Sequence, residues 1–503
     1  PDTQKIEADA ALINLYPPTS TSLCSLPWEK RVLILQAVLL LLLSLKSYMA
    51  PSRVLLLNLT SSLHLPLRVL VEDETKVAQN LLEAADKFSG SEEAKHRSEK
   101  NNISRRWKIG LAGVAGATAI GVTGGLAAPL VAGAIGTVMG GFGLGATAIA
   151  GLLGGLAESS VIVGSLFGAY GAHMASKAVS SYAKEVKDFE FIPLNHFINK
   201  QTVHKDRRLR VTIGISGWLT QPNDVITPWR TLNDESEVFA LRWELEALTE
   251  LGNSMHSIVK SAAFDMAKKE IISKTIFASL MSALWPIALL KISKVVDNPF
   301  SICMNRADKA GAILADVLIN KTQGERPVTL IGYSLGARLI YSCLKSLAKR
   351  RAFGLVENVI LMGSPIPSKA TVWLFMRSVV SGRLINVYST HDFILAFLYR
   401  TWGIEYGVAG IQKVSVVRSV ENYDVSNLVN GHLMYQHTIG SILEKIGWEG
   451  LDAKEVAKEE QTLTILEKEL KENNATYGKQ AEKSEKDDAD IVALVKGHSI
   501  NDQ

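Results

Sequence analysis

The chain has 503 residues, of which 47% are hydrophobic and 21% charged, and its formal net charge at pH 7 is +4. This length allows about two to four domains, one of them large enough for a complete enzyme core. The small net charge, without a basic stripe interleaved with aromatic residues, argues against a nucleic-acid-binding protein. Cys24, Cys303 and Cys343 are too scattered for a disulfide framework or a zinc cluster, so we expect a reducing compartment and neither a metal nor a cofactor.

Residues 1–100 are predicted to form a helical N-terminal domain. Val32 to Leu45 is a run of 14 residues that are apolar apart from Gln36 and Ser44. Because crossing a bilayer takes about 20 residues, this run predicts a buried helix of the domain. A second apolar stretch, Val54 to Leu70, is broken by polar residues and a proline, and an amphipathic helix over 72–88 then leads into a charged linker.

Residues 101–187 are predicted to form a hydrophobic helical hairpin rich in glycine and alanine. Ile109 to Ala157 has no Asp, Glu, Lys or Arg over 49 residues, enough for two spans of about 20 residues with a turn between them. Small residues at four-residue spacing, such as Gly136 and Gly140, let helices approach closely in lipid. Basic residues flank the tract on both sides. We therefore expect an intracellular membrane protein whose catalytic domain faces the cytosol; the alternative is a hairpin packed against the protein itself.

Residues 188–450 alternate predicted strands and helices, which indicates an α/β domain with a mostly parallel sheet covered on both faces. A helical insertion over about 254–300 contains the uncharged segment Thr275 to Leu290, which is either a lid over the active site or a core helix. The predicted strands are Leu209 to Ser216, Glu237 to Trp243, Val328 to Ile331, Val356 to Gly363 and Leu384 to Ser389.

Residues 451–503 are predicted to be a charged tail. Val456, Leu463 and Leu470 are spaced by seven, enough for one or two heptads of a short coiled coil. From Glu472 onward we expect disorder, because a densely charged segment cannot bury enough apolar surface to fold. Such a tail is a candidate binding site for a protein partner, and the sequence does not predict an oligomeric state.

The stretch Pro327 to Leu347 predicts a nucleophile elbow, the tight turn between strand and helix that carries the serine of α/β-hydrolases. An apolar strand runs into Gly332-Tyr333-Ser334-Leu335-Gly336, and leucines at helical spacing follow. Glycines at this Gly-x-Ser-x-Gly spacing let strand and helix close together around a strained serine. The free N–H groups at the start of the helix favour a negative charge near Ser334. The alternative is a glycine-rich turn in which the serine only caps the helix.

Ser334 needs a histidine as general base and a carboxylate to orient that histidine. In α/β-hydrolases the acid follows the serine and the histidine follows the acid. Asp392 comes just after a predicted strand, and His432 lies in a turn before a helical segment, so this order is satisfied. The alternatives for the base and the acid are His437, His391 and Asp424.

Two backbone N–H groups are predicted to form the oxyanion hole, the site that binds the negative oxygen of the tetrahedral intermediate. One belongs to Leu335, the residue after the serine. The other belongs to Trp218 or Leu219, in the loop after the first predicted parallel strand. Removing one such donor from an enzyme costs about 3 kcal/mol of transition-state stabilisation.

Several motifs together resemble the family of transmembrane and coiled-coil domain-containing protein 4. They are the Gly-rich hydrophobic tract, Ile-Ser-Gly-Trp-Leu at 215–219, Ile-Gly-Tyr-Ser-Leu-Gly-Ala-Arg at 331–338, Asn-Val-Tyr-Ser at 386–389 with Asp392, and Gly-His-Leu at 431–433. The likeness covers about residues 28–450. It implies an α/β-hydrolase architecture and membrane association, but no substrate. His391 departs from the family pattern, which has Asn or another small polar residue there.

These features predict a membrane-associated serine hydrolase, an esterase or lipase that cleaves lipid or other hydrophobic esters through an acyl-enzyme. The hydrophobic tract and the segment 275–290 would bring the site to a bilayer, so membrane lipid is the expected partner. One alternative is a catalytically inactive adaptor in membrane trafficking that uses the hydrolase fold as a platform. Another is a membrane-remodelling protein in which the glycine-rich hairpin is the active part.

Overall fold

The computed structural model describes residues 2–45, 48–89, 166–167, 186–194, 207–260, 294–399, 407–414 and 419–465. The hairpin predicted over 101–187 lies outside these ranges except for residues 166–167 and 186–187. The apolar segment Thr275 to Leu290 and the tail beyond residue 465 lie wholly outside them. Of the helices within the ranges, none combines the length and the apolar character that a bilayer crossing requires.

A seven-stranded sheet lies at the centre of the globular part. Its strands follow the order β1-β3-β2-β4-β5-β6-β7, and all neighbours are parallel except the antiparallel pair β1 and β3. This is the mostly parallel α/β arrangement that the sequence predicts. The strands are β1 Glu190–Pro193, β2 Val211–Ile215, β3 Glu237–Arg242, β4 Val328–Tyr333, β5 Val356–Met362, β6 Leu384–Tyr388 and β7 Glu421–Asp424.

The central strands are mostly apolar because both of their faces are buried. Every residue of β2, β4 and β5 is buried. The pairing of Gly214 with Ile331 and of Ile215 with Gly332 brings the ends of β2 and β4 to the same edge of the sheet. The loops that follow these two strands therefore begin side by side, at the edge that we call the catalytic edge.

Helices flank the sheet and pack closely on one another. The clearest contact joins the helix Lys294–Ile319 to the helix Leu335–Lys349. A Cβ atom on Gly311 would lie 2.4 Å from the carbonyl oxygen of Leu339. Only glycine allows the two helix backbones to approach this closely. The helices are α5 Leu245–Val259, α6 Lys294–Ile319, α7 Leu335–Lys349, α8 Ala370–Arg377, α9 Phe393–Leu398 and α10 Ile439–Lys445.

Four helices precede the sheet and share their own apolar core. The predicted buried helix over Val32 to Leu45 is confirmed, because the leucines on one face of the second helix are enclosed by the others. The helices are α1 Asp2–Leu15, α2 Trp28–Ser44, α3 Ala50–Ser62 and α4 Leu67–Ser89. The buried leucines of α2 are Leu35, Leu39, Leu40 and Leu43.

A buried ion network joins these helices to the edge of the sheet opposite the catalytic edge. We define it as Arg53 of α3, Glu74 of α4, Arg210 just before β2, Glu357 at the start of β5, and Glu449. The Nε atom of Arg53 donates to Glu74 over 3.0 Å, one of its Nη atoms donates to Glu449 over 3.0 Å, and the other donates to Glu357. Arg210 also donates to Glu449 over 2.8 Å. One arginine therefore links two N-terminal helices, a central strand and the C-terminal part of the domain.

A buried carboxyl group in α4 makes the stability of the N-terminal helices sensitive to pH. Burial raises the pKa of Asp73 from 3.8 to about 6, although the Nε2 atom of Gln36 donates to its carboxylate over 3.0 Å. Between these two pH values the folded chain binds more protons than the unfolded chain, so this group lowers stability as the pH rises from about 4 to 6.

The variant Asp73→Asn, which cannot ionise, is expected to lack this loss. Between pH 4 and pH 7 its free energy of unfolding should improve relative to the native chain by up to about 3 kcal/mol, measured by urea denaturation. Glu72→Gln is the matched control, because Glu72 is exposed on the same helix and should follow the native profile. Identical pH profiles for the native chain and Asp73→Asn would rule out this role of Asp73.

The first part of the predicted tail packs on the globular domain. Residues 453–465 are helical, and the carboxylate of Glu459 accepts hydrogen bonds from the N–H groups of Gly440 and Ser441 over 3.0 and 3.1 Å. These N–H groups begin α10 and have no partner within that helix, so Glu459 caps it. Val456, the first residue of the predicted heptad pattern, is buried.

Candidate active site

Ser334 lies at the catalytic edge on a strained turn between β4 and α7. Its φ is 53° and its ψ is −125°, a conformation that residues with a side chain rarely adopt. Close backbone packing holds the turn: a Cβ atom on Gly336 would lie 2.0 Å from the carbonyl oxygen of Ile215, and one on Gly217 would lie 2.4 Å from the Leu335 nitrogen. The predicted elbow geometry is therefore present.

The three residues that the sequence singled out form one hydrogen-bonded chain. The hydroxyl of Ser334 lies 2.6 Å from Nε2 of His432, and Nδ1 of the same imidazole lies 2.7 Å from Oδ2 of Asp392. All three side chains are at most 1% exposed. With the proton on Nδ1 donated to the carboxylate, Nε2 is free to accept the serine proton.

Asp392 is held in place by both of its carboxylate oxygens. It follows β6 and caps the short helix α9, where its Oδ1 accepts the N–H of Leu395 over 2.9 Å while Oδ2 accepts from His432. His432 begins a two-turn 3-10 helix, His432–His437. The loops after β6 and β7 thus bring an acid and a histidine from distant parts of the chain to the elbow.

Ser389 connects these two loops, and the sequence analysis did not assign it a role. Its hydroxyl donates to the carbonyl of Val429 over 2.7 Å and accepts the N–H of His391 over 3.1 Å. It is fully buried. Only its place in the Asn-Val-Tyr-Ser motif marked it beforehand, because a serine at a strand end has many ordinary uses.

The alternative base and acid candidates do not contact Ser334. Nδ1 of His391 lies 2.9 Å from the carbonyl of Ser426 on the surface. The residue that departs from the family pattern is therefore bonded to Ser426 and not to the Asp392 carboxylate. Asp424 accepts from the N–H and hydroxyl of Ser426 over 2.9 and 2.5 Å. His437 ends the 3-10 helix that His432 begins, and its ring lies against Gln436.

The two predicted donors in the loop after β2 differ in their availability. The N–H of Leu219 donates to the carbonyl of Leu248 over 3.1 Å, so it is already used. Trp218 is therefore the remaining donor of this pair. The N–H of Leu335 is at the first position of α7, where an N–H group has no acceptor within its own helix. Gly217 packs directly against it.

Asp224 fixes the loop that carries Trp218, and the sequence analysis missed it. Its buried carboxylate accepts from the N–H and hydroxyl of Thr220 and from the N–H and side-chain amide of Gln221, over 2.6–3.2 Å. The hydroxyl of Ser216 donates to its carbonyl over 3.0 Å. The Pro-Asn-Asp sequence after Gln221, a common first turn of a helix, was the available signal.

Tyr435 is a buried residue that packs against His432. Its ring meets that of His432 edge to face, with 6.0 Å between centroids. Burial raises the pKa of its phenol well above 10, and the charge of Asp392 adds to this effect, so the phenol stays neutral.

No three His, Cys, Asp or Glu side chains in the described ranges converge as a metal site would require.

The fold is α/β-hydrolase-like. Its sheet is mostly parallel, a strained serine lies between a strand and a helix, and an acid and a histidine lie on later loops. The chain belongs to the family described as Protein of unknown function (DUF726), whose model matches residues 101–449. This agrees with the resemblance that the motifs indicate, because one relative is named a transmembrane and coiled-coil domain-containing protein.

Three relatives illustrate the range of the family. The chain is 39% identical to "Uncharacterized membrane protein C6F6.13c" of Schizosaccharomyces pombe, over 92% of this chain and 79% of that protein. It is 36% identical to "Transmembrane and coiled-coil domain-containing protein STS1" of Oryza sativa subsp. japonica, over 80% and 61%. It is 35% identical to "Probable lipase MIL1" of Saccharomyces cerevisiae, over 81% and 38%. No solved structure matches the chain.

Proposed function

We propose that the protein is a serine hydrolase that cleaves carboxylic esters with a hydrophobic acyl group. The observation that carries this proposal is the buried chain of hydrogen bonds from Ser334 through His432 to Asp392, which begins at a strained elbow. An inactive adaptor would have no use for a strained serine or for a histidine 2.6 Å from its hydroxyl. Backbone strain of this kind is expected where it serves a function.

In the first half of the reaction the Oγ atom of Ser334 attacks the carbonyl carbon of the ester. Nε2 of His432 takes the serine proton as the new C–O bond forms, and Asp392 stabilises the resulting imidazolium. The N–H groups of Leu335 and Trp218 stabilise the negative oxygen of the tetrahedral intermediate. The bond to the alcohol then breaks, the imidazolium gives its proton to the departing oxygen, and an acyl-enzyme remains.

The second half of the reaction uses the same groups for water. His432 removes a proton from a water molecule that attacks the acyl carbon, and the same oxyanion donors stabilise the second tetrahedral intermediate. When this intermediate breaks down, the proton returns to the Oγ atom of Ser334 and the carboxylic acid leaves. The residues named account for every proton transfer. The reaction involves no change of oxidation state.

A lipid substrate and a membrane location belong to the same proposal. The relative from Saccharomyces cerevisiae is named a probable lipase, and the relatives from Schizosaccharomyces pombe and Caenorhabditis elegans are named membrane proteins. The long uncharged tract at 109–157 would hold the chain at a bilayer, where hydrophobic esters accumulate. We propose the cytosolic side of an intracellular membrane as the location of the catalytic domain.

Covalent labelling with a fluorophosphonate probe tests the proposal, because such a probe reacts with an activated serine. The full chain in its membrane fraction is expected to label, and Ser334→Ala is expected to remain unlabelled. Ser346→Ala, on the same helix as the elbow, is the control and should label like the native chain. A folded native chain that stays unlabelled with and without added detergent or lipid would contradict the serine-hydrolase proposal and favour the adaptor.

A further inference from the structure

Among the buried polar atoms that have no partner in the described part of the chain, two lie on segments that flank Ser334 and His432. The indole Nε1 of Trp218 is a donor, and Oε1 of Gln436 is an acceptor. Trp218 is fully buried in the loop packed on the elbow, and Gln436 is 8% exposed on the 3-10 helix that begins with His432. Because a buried polar atom without a hydrogen bond is costly, the two atoms mark a place where a ligand can supply the missing partners.

A half-buried histidine lies beside each of these two residues. The ring of His256, on α5, meets the ring of Trp218 edge to face at 6.0 Å between centroids. His437 lies beside Gln436, with 3.3 Å between their terminal nitrogens. The loop of Trp218 packs on the elbow through Gly217, and the 3-10 helix that ends with His437 begins at His432, 2.6 Å from the Ser334 hydroxyl, so both pairs flank the same serine.

The charges in this group favour an uncharged ligand. Burial lowers the pKa of His256, and Lys260 lowers it further, while Asp224 acts in the opposite direction. Burial also lowers the pKa of His437, with a smaller contribution from His256. Both imidazoles are therefore neutral at pH 7, and each has one donor and one acceptor nitrogen, although Nε2 of His437 already lies 3.3 Å from the Gln436 amide nitrogen. The carboxylate of Asp224 already accepts four hydrogen bonds from its own loop.

We propose that Trp218, His256, Gln436 and His437 form a hydroxyl site, which binds the alcohol part of the ester substrate through free hydroxyl groups. This inference rests on the proposed serine-hydrolase function. A hydroxyl group can accept from an indole and can donate to an amide oxygen, so free hydroxyl groups match both unpaired atoms. A phosphate only accepts and an ammonium group only donates, so either would leave one of them unpaired. The substrate class is thus a fatty-acid monoester of a polyol, such as glycerol.

The experiment compares a glycerol monoester with the methyl ester of the same fatty acid, using the full chain in detergent micelles. The measured quantity is the selectivity ratio, kcat/KM for the glycerol ester divided by kcat/KM for the methyl ester. His256→Phe keeps a ring against Trp218 but removes both nitrogens, and His437→Leu removes the second imidazole. Each variant is expected to lower the ratio about five- to tenfold. Ser257→Ala, exposed on α5, is the control and should keep the native ratio.

A second measurement separates the hydroxyl site from the proposed function. Binding of both esters to the Ser334→Ala chain is followed by calorimetry, with and without His256→Phe. If the native chain hydrolyses neither ester but Ser334→Ala binds the glycerol ester more tightly and His256→Phe removes that preference, the hydroxyl site stands and the proposed function fails. If the native chain hydrolyses both esters and both histidine variants keep the native ratio, the hydroxyl site is overturned and the proposed function stands.

Discussion

Replacing His432 with alanine is expected to lower kcat for ester hydrolysis by about 10⁶-fold, as much as replacing Ser334. The reason is that the two residues act as one unit. Without Nε2 at 2.6 Å the serine hydroxyl keeps its proton, and without the serine the imidazole has nothing to activate. The double variant is therefore expected to be no slower than either single variant, measured with a soluble chromogenic ester in detergent.

Asp392→Asn is expected to lower kcat less, by about 10⁴-fold, because the serine and histidine remain but the imidazole loses the carboxylate that holds its tautomer. His391→Asn is the matched control, since it changes the neighbouring residue, whose imidazole bonds to the Ser426 carbonyl instead. It should stay within twofold of the native rate. Activity that survives His432→Ala but disappears in His391→Asn would show that His391, and not His432, is the general base.

Arg53→Met is expected to destabilise the protein by about 3–5 kcal/mol, the largest loss of stability that we expect from a single replacement. Arg53 is fully buried and donates to Glu74, Glu357 and Glu449. Removing its charge leaves these three carboxylates with Arg210 as the remaining cation of the network. Burial already raises the pKa of Glu357, and the charges of Arg53 and then Arg210 counter this effect, so the loss of Arg53 penalises the ionised form directly.

Urea denaturation measures this effect, and two further variants show whether the network causes it. Adding Glu357→Gln to Arg53→Met removes one uncompensated charge and should recover part of the loss. Lys76→Met breaks an exposed pair in which the Nζ atom of Lys76 lies 4.0 Å from Glu72, and it should cost less than about 1 kcal/mol. An Arg53→Met variant as stable as Lys76→Met would show that the buried network contributes little.

The sequence predicted the five central strands and the elbow because these features have strong local signals. A strand buried on both faces is mostly apolar, and a Gly-x-Ser-x-Gly between an apolar strand and a helix leaves few alternatives. Asp392 and His432 could be selected by their order after Ser334 and by their positions, one just after a strand and the other in a turn before a helical segment. The structure brings both side chains to Ser334, and their catalytic roles stay a prediction until the variants are measured.

Features that depend on distant contacts could not be predicted from the sequence. β1 and β7 have only four residues each and lie at the two edges of the sheet, where exposure removes the apolar pattern. Asp224 and Ser389 act by bonding to loop backbones, which leaves no periodic signal. The sequence left open whether Trp218 or Leu219 supplies the oxyanion donor. The answer depends on the carbonyl of Leu248, which lies on the later helix α5 and accepts the N–H of Leu219.

The buried ion network also sets the order in which the chain can fold during synthesis. Arg53 is separated along the chain from Glu357 by 304 residues and from Glu449 by 396. At about 5–20 residues per second, the ribosome makes these carboxylates roughly 15–80 s after Arg53. Until then the guanidinium stays hydrated, because burial without its partners is costly. Docking of the N-terminal helices is therefore expected to be a late event that awaits synthesis of the last carboxylate of the network.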